Sequence, residues 1–189
     1  MNTEKITNFL FEIATLRRLT RSHRQMIETV SDNISDHSFR VAVIGMILAK
    51  MEEVDESKVL KMCLFHDISE ARTGDANWIN QQYVESHEEK ARKEQMKDLP
   101  IEGEALGLMK EYEERKTREA ILAKDADLLD QMILQQEYFY RDKENGQRWQ
   151  DYTQGQLKTE AAKKIASKIR ESNPFEWLYR LSEEKAGER

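Results

Sequence analysis

The segment "LFHDISEARTGD", residues 64–75, carries one imidazole and three carboxylates: His66, Asp67, Glu70 and Asp75. It follows "KVLKMC", whose apolar residues suit the inner side of an ordinary helix. Burying ionised carboxylates without partners is expensive, so something must compensate them. A divalent cation does this and fixes the imidazoles as well. His66 and Asp67 are neighbours, so on a helix their side chains diverge by about 100°. They meet one ion only if it lies between their directions. An open metal site takes about three or four protein ligands, so two more must come from elsewhere. One candidate is His37 in "ISDHSFR". The other lies in "LAKDADLLDQ", where Asp125, Asp127 and Asp130 stand on a stretch otherwise carrying Ile121, Leu122, Leu128 and Leu129. Residue types leave open which of the three faces a site.

These residues need helices to position them. Ile6, Phe9, Leu10, Ile13 and Leu16 recur at spacings of three and four, which predicts a first helix over about 3–19. The polar stretch "TRSHRQMIETVSDNIS" reads as a loop. A second helix follows, with Ser35 or Asp36 as its cap. It carries Phe39, Val41, Ala42, Val43, Ile44, Met46, Ile47 and Leu48, apolar nearly all round, and is expected to be central and buried. A third starts near Asp55 and ends at or soon after the His66–Asp67 pair, with Gly74 as a stop. A charged helix spans "ESHEEKARKEQMKDL". The pattern over about 104–141 predicts two helices broken near Lys116. "KENGQRWQDYTQGQ" reads as a loop, and two last helices are expected at about 157–171 and 174–181. Phe175, Trp177 and Leu178 are expected to dock on the core or on a second subunit.

Composition agrees with an all-α chain. Of 189 residues, 39% are hydrophobic and 35% charged, with only 7 Gly and 2 Pro, which favours helices over turn-rich sheet. A single domain over 1–189 is the natural expectation at this length. A net charge of −6 argues against a nucleic-acid polymer as partner, but not against a small phosphate-bearing substrate. The sole cysteine, Cys63, cannot form an intramolecular disulfide and is expected to be a small buried residue. No apolar run approaches the roughly 20 residues of a membrane span, and the N-terminus lacks the pattern of a signal peptide. No membrane partner and a cytoplasmic setting are expected.

Taken together, His37, the pair His66–Asp67 and a later Asp resemble the His…His-Asp…Asp pattern of the HD-domain metal-dependent phosphohydrolases. "HDISEARTGD" is closer still to the "HD-x-x-E-x-x-x-G-D" element of the 5'-deoxynucleotidase branch. In that register the last Asp is Asp127; Asp125 falls two residues too early and Asp130 three too late. The resemblance covers about residues 16–137, with the C-terminal helices packed on that core. It implies an all-α HD-domain helical bundle. His37, His66, Asp67 and Asp127 would hold one divalent metal ion, whether manganese, cobalt, magnesium, zinc or iron. Glu70, four residues on from His66, matches the residue that orients or deprotonates the attacking water. Asp75 matches a carboxylate at the substrate pocket that serves the leaving oxygen. In "LRRLTR" the last Arg, Arg21, matches the residue that orients the substrate phosphate, a role its planar fork suits.

The implied activity is metal-dependent hydrolysis of (deoxy)ribonucleoside 5'-monophosphates to nucleoside and phosphate, by a homodimer. The alternatives are an HD-type hydrolase of nucleoside di- or triphosphates, or a catalytically weak nucleotide-binding module. Two departures from the branch concern sugar and base rather than metal. Arg21 is followed by Ser22-His23-Arg24 where the branch has a Trp, and "ANWINQQYV" after Asp75 lacks a Pro.

Overall fold

Short polar side chains cap the starts of five helices, at Asn2, Asn33, Asp55, Thr117 and Thr159. The computed structural model describes residues 2–25, 32–140 and 143–187. Helix α1 (Thr3–Ile13) opens at Asn2, whose side chain accepts the Lys5 N–H at 3.0 Å. It is shorter than the pattern predicts, because the chain tightens into a 3₁₀ turn at Ala14–Arg18 and another at Ser22–Gln25. An isolated antiparallel bridge, Thr20 to Asn33, ties this stretch to the start of α2 (Ile34–Met51). The bridge holds Asn33 extended at φ −125°, the backbone of an N-cap. Its side chain accepts the Asp36 N–H at 3.0 Å, so Asn33 caps α2 in place of the expected Ser35 or Asp36.

Helix α3 (Glu56–Phe65) starts at Asp55 as expected. It stops immediately before His66, and the His-Asp pair sits in the turn leading to the short α4 (Glu70–Thr73). Gly74, at φ 74°, ends α4 in a conformation that only Gly adopts cheaply. Then come α5 (Glu88–Met96) and α6 (Glu102–Glu114). Arg115, in the left-handed region, and the Thr117 cap separate α6 from α7 (Arg118–Phe139). The chain closes with α8 (Lys143–Gln156), α9 (Glu160–Glu171) and α10 (Glu176–Gly187). There is no β-strand among the described residues, and no helix there is long and apolar enough to cross a membrane.

The most enclosed helix is α7, on which α2, α3, α6, α8 and α9 all pack. Val41, Leu48, Met62, Leu122, Leu129 and Met132 form the heart of this core. Burying each such side chain contributes about 1.5–3 kcal/mol before entropy is counted. A second cluster, with Phe9, Leu16, Ile34, Ile68, Met96 and Met109, lies under α1, α5 and α6. Helices α2 and α3 meet closely at Gly45, where a Cβ would stand 2.6 Å from the Cys63 sulfur. Cys63 is fully buried there.

Three expectations are corrected. Helix α2 is buried on one face only, because Phe39, Val43, Met46, Ile47 and Met51 remain exposed on the other. An all-round apolar helix does not reveal whether its second face meets this chain or another. Residues 143–156 form a helix rather than a loop. Gly146 lowers the local helix propensity but lets the backbone approach α7, where a Cβ would stand 2.2 Å from Phe139. Buried polar contacts complete that junction: Gln150 Nε2 donates to Gln136 at 2.7 Å, and Gln135 Nε2 to Thr153 at 3.0 Å. Finally, of the two places expected for Phe175, Trp177 and Leu178, the core is not one: all three are exposed, and a second subunit remains.

Asp125, which the motif register leaves outside the site, is a buried staple for α9. It accepts the Lys158 N–H at 3.0 Å, the Thr159 N–H at 2.8 Å and the Thr159 hydroxyl at 2.7 Å. Asp125→Ala strands two backbone N–H groups and a hydroxyl. It is expected to destabilise the protein by about 1–3 kcal/mol in urea denaturation, while metal affinity per folded molecule stays unchanged.

Candidate metal centre

Four elements deliver the site. The Thr20–Asn33 bridge sets Arg21 beside the first turn of α2, which carries His37. The end of α3 presents His66 and Asp67, and α7 presents Asp127 and Asp130. His37 Nε2 lies 3.1 Å from His66 Nε2, 3.3 Å from Asp67 Oδ2 and 3.4 Å from Asp127 Oδ1. His66 Nε2 lies 3.1 Å from Asp67 Oδ2. Adjacent ligands on one cation with bonds of about 2.1 Å stand roughly 3.0–3.4 Å apart, so these separations fit a shared ion.

The outer ring nitrogens are anchored. His66 Nδ1 is 2.7 Å from the Cys63 carbonyl, which can only accept, so Nδ1 donates there and Nε2 is the nitrogen turned to the cluster. His37 Nδ1 is 2.7 Å from Asp130 Oδ2, and Arg40 Nε donates to Asp130 Oδ1 at 2.5 Å. Carboxylate and carbonyl partners of this kind orient metal-binding imidazoles. His37, His66 and Asp127 each offer a ligand atom within 4.8 Å of the others, a set able to hold a divalent metal ion.

A family profile described as HD domain matches residues 13–172. The chain belongs to the HD-domain family. It has the fold and the His/His/Asp cluster of the family's metal-dependent phosphohydrolases. Among curated relatives it is 34% identical over 122 residues to the 5'-deoxynucleotidase HDDC2 of Dictyostelium discoideum, covering 57% of this chain and 63% of that protein. It is 30% identical over 112 residues to the human protein of the same name, covering 57% of this chain and 54% of that one. The chain thus spans less than two thirds of either relative. Its fold matches the crystal structure of the PH0347 protein from Pyrococcus horikoshii with a TM-score of 0.72 and 28% identity, covering 87% of this chain and 98% of that one.

In this HD-domain chain Asp67 and Asp127 of the cluster line a cavity of about 930 Å³. Arg21, Asp67, Glu70, Asp75 and Asp127 all line it, so the residues singled out in the sequence share one site. Arg21 stands 3.3 Å from Asp67 Oδ2 and 3.9 Å from Asp75 Oδ2. Asp75 Oδ2 also accepts the Ser22 N–H at 2.6 Å. A second cavity of about 160 Å³, walled in part by Gln136, Phe139 and Arg170, has no carboxylate or imidazole in its lining among the described residues.

Two residues were missed by the sequence reading. Asp130 was set aside as out of register, yet it is buried against His37. Lys124 was not considered; its Nζ lies 2.5 Å from Asp127 Oδ2 and it lines the cavity. Their signal was spacing: both lie three residues from Asp127, on the same side of a helix.

The protons follow from this crowding. Burial opposes charge on His37, but hydrogen bonds to Asp127, Asp130 and Asp67 prevail and hold its pKa well above the usual 6.5. Burial, reinforced by the charges of Asp67 and Asp75, pushes the Glu70 carboxyl up to about 10. Glu70 Oε2 is buried with no hydrogen-bond partner among the described residues. Burial also opposes the charge on Asp67, but His66 and His37 draw its pKa well below the usual range. Without a cation, then, His37 and Glu70 carry the compensating protons.

Two expectations follow. A metal-binding His37 must lose its extra proton, so Mn²⁺ affinity should rise about tenfold per pH unit below the His37 pKa, with proton release visible by calorimetry in buffers of different ionisation enthalpy. A pH-independent affinity would contradict this. Chelator-stripped protein should lose stability as pH rises from about 5 toward 10. The folded pKa of Glu70 is raised from 4.5, so its contribution is complete below 4.5 and is lost toward about 10. Thermal melts of Glu70→Gln should show a flatter profile. Separately, Asp130→Asn should weaken Mn²⁺ binding about 10- to 100-fold.

Proposed function

We propose that this protein is a 5'-nucleotidase that hydrolyses (deoxy)ribonucleoside 5'-monophosphates to nucleoside and phosphate. The observation that carries the reading is the convergence of two anchored imidazoles with two carboxylates that line a cavity also presenting Arg21. The name of the curated relatives supports the substrate class.

In this reading His37, His66, Asp67 and Asp127 hold one divalent ion. When bound, such an ion supplies Lewis acidity toward a phosphoryl oxygen and a water of lowered pKa. Arg21 binds the phosphate; its guanidinium is turned toward the site by Asp67 and Asp75. Glu70 lines the cavity with one oxygen unengaged, where it takes the proton of the attacking water. Added positive charge nearby lowers its pKa and readies it as a base. Asp75 lies on the leaving side, where a proton must return to the 5'-oxygen. Lys124 steadies Asp127 through its second oxygen. Phosphoryl transfer requires mainly positioning and charge stabilisation, and these residues provide both.

One observation favours a second reading. Arg148 lines the same cavity with no carboxylate in ion-pair range among the described residues, a place for further phosphates of a nucleoside di- or triphosphate. Assembly as a homodimer belongs to the proposal too. The outer face of α2 leaves Phe39 68% and Ile47 51% exposed, a surface suited to a second copy.

The test is phosphate release from a panel of nucleoside monophosphates by chelator-stripped protein supplied with Mn²⁺, Co²⁺, Mg²⁺ or Zn²⁺ separately. Metal-dependent release is expected. It should fall by more than about 100-fold in Asp67→Ala, because losing a ligand costs more than losing an outer partner. No release from any monophosphate by folded protein would sink the reading, whereas pyrophosphate or triphosphate from longer substrates would establish the second. In sedimentation equilibrium the protein should run as a dimer and Phe39→Glu/Ile47→Glu as a monomer; a wild-type monomer would remove the dimer from the proposal.

A further inference from the structure

The metal cluster and Arg21 account only for the phosphate end of the cavity. The rest opens outward between the segment after Asp75 and helix α8. Aromatic side chains line both walls, Trp149 on the α8 side together with the two most exposed, Trp78 on one wall and Tyr152 on the other. Trp78 and Tyr152 are 63% and 70% exposed, although both line a concave surface. Rings of this kind are held open to water at a cost, and stacking a planar ligand removes it.

Neither ring is on a loose segment. Asn77 Oδ1 accepts the N–H groups of Ile79 and Asn80, both at 3.0 Å, closing a tight turn around Trp78. The Trp78 carbonyl accepts Gln82 Nε2 at 3.3 Å. Tyr152 is carried by α8, whose neighbouring Thr153 and Gln150 are buried against α7. Gln131 of α7 and Gln156 at the end of α8 line the same cavity. Their side-chain amides make no hydrogen bond to other described residues. Gln131 is four residues beyond Asp127, one turn further along α7 and away from the metal cluster. A free carboxamide presents both a donor and an acceptor, the complement of a heteroaromatic edge.

We infer that the outer half of the cavity is a nucleobase subsite, in which the base stacks on Trp78 and Tyr152 and its polar edge meets Gln131 and Gln156. The inference rests on the nucleotidase reading and adds what that reading leaves open: which residues require the substrate to carry a base. The phosphate is gripped at the floor and the base at the rim, so a sugar phosphate without a base makes only half of the contacts.

The experiment compares kcat/KM for nucleoside 5'-monophosphates with that for ribose 5-phosphate, using Mn²⁺-loaded protein. Wild type should prefer the nucleotide. Trp78→Ala and Tyr152→Ala should each lower the nucleotide-to-ribose-5-phosphate ratio by about tenfold, chiefly through KM, as loss of a stacking partner does. Trp78→Phe and Tyr152→Phe should restore most of it, which a general loss of structure would not. A ratio that is the same in wild type and both alanine variants overturns the subsite. If no phosphomonoester is turned over, the activity fails on separate grounds, and calorimetric binding of the same two ligands decides. Tighter binding of the nucleotide in wild type, lost in Tyr152→Ala, supports the subsite; equal binding in both proteins refutes it.

Discussion

Two imidazole nitrogens held 3.1 Å apart, with two carboxylates against them, are the constraint on which the rest of the molecule depends. Ring lone pairs that face each other repel, and four such atoms stay together only if something positive lies among them and each is held from behind. The holding is done by the scaffold. His37 is fully buried in the first turn of α2 and fixed by Asp130 of α7. His66 is fixed by the carbonyl of Cys63, a residue of its own α3. Relative movement of α2, α3 and α7 would separate the donor atoms, so the tight packing of these three helices around Gly45, Met62 and Leu129 is also what keeps the cluster assembled.

The same crowding links charge, proton and stability. Asp67 and Asp127 are drawn to low pKa values, while His37 and Glu70 are raised. A proton on His37 Nε2 occupies the place that a cation would take. Arg40 and Arg21 serve different ends in this balance. Arg40 lies behind the cluster on Asp130, where it holds that carboxylate ionised for His37. Arg21 lies in front, between Asp67 and Asp75, and remains within reach of the cavity. Burying so many ionisable groups is tolerable because almost every one has a partner; among the described residues Glu70 Oε2 is an exception.

Much of this was legible in the sequence, and the parts that were not have physical causes. The "HD-x-x-E-x-x-x-G-D" element could be read because its residues are close along the chain and their chemistry is costly without a purpose. Asp127 needed the family register, since three aspartates in six residues differ only in direction on α7. The structure gives Asp125 to the start of α9 and Asp130 to His37, two jobs in tertiary contacts that no local pattern encodes. The cap of α2 was misplaced because Asn33 is held extended by pairing with Thr20. Helix α8 was hidden because its stability comes from Gly146 against Phe139 and from buried glutamines, where propensity and apolar periodicity both point the other way.

That last failure bears on how the molecule divides its work. The metal cluster is set by α2, α3 and α7, whose contacts are apolar and extensive. The rim of the cavity is set by the turn around Trp78 and by α8, joined to the body through glutamine hydrogen bonds and one close glycine contact. A polar junction depends on geometry rather than on total buried area, so residues on its outer face, such as Tyr152 and Gln156, can change with little cost to the core. Substitution in α2 or α7 has no such freedom, because it disturbs stability and metal geometry together. The metal-cluster residues are therefore tied to the apolar, extensively packed part of the fold, and the rim of the cavity to a junction held by polar contacts. The sequence departs from the 5'-deoxynucleotidase pattern at Ser22 beside Arg21 and in the loop after Asp75, while the metal-cluster residues keep to it.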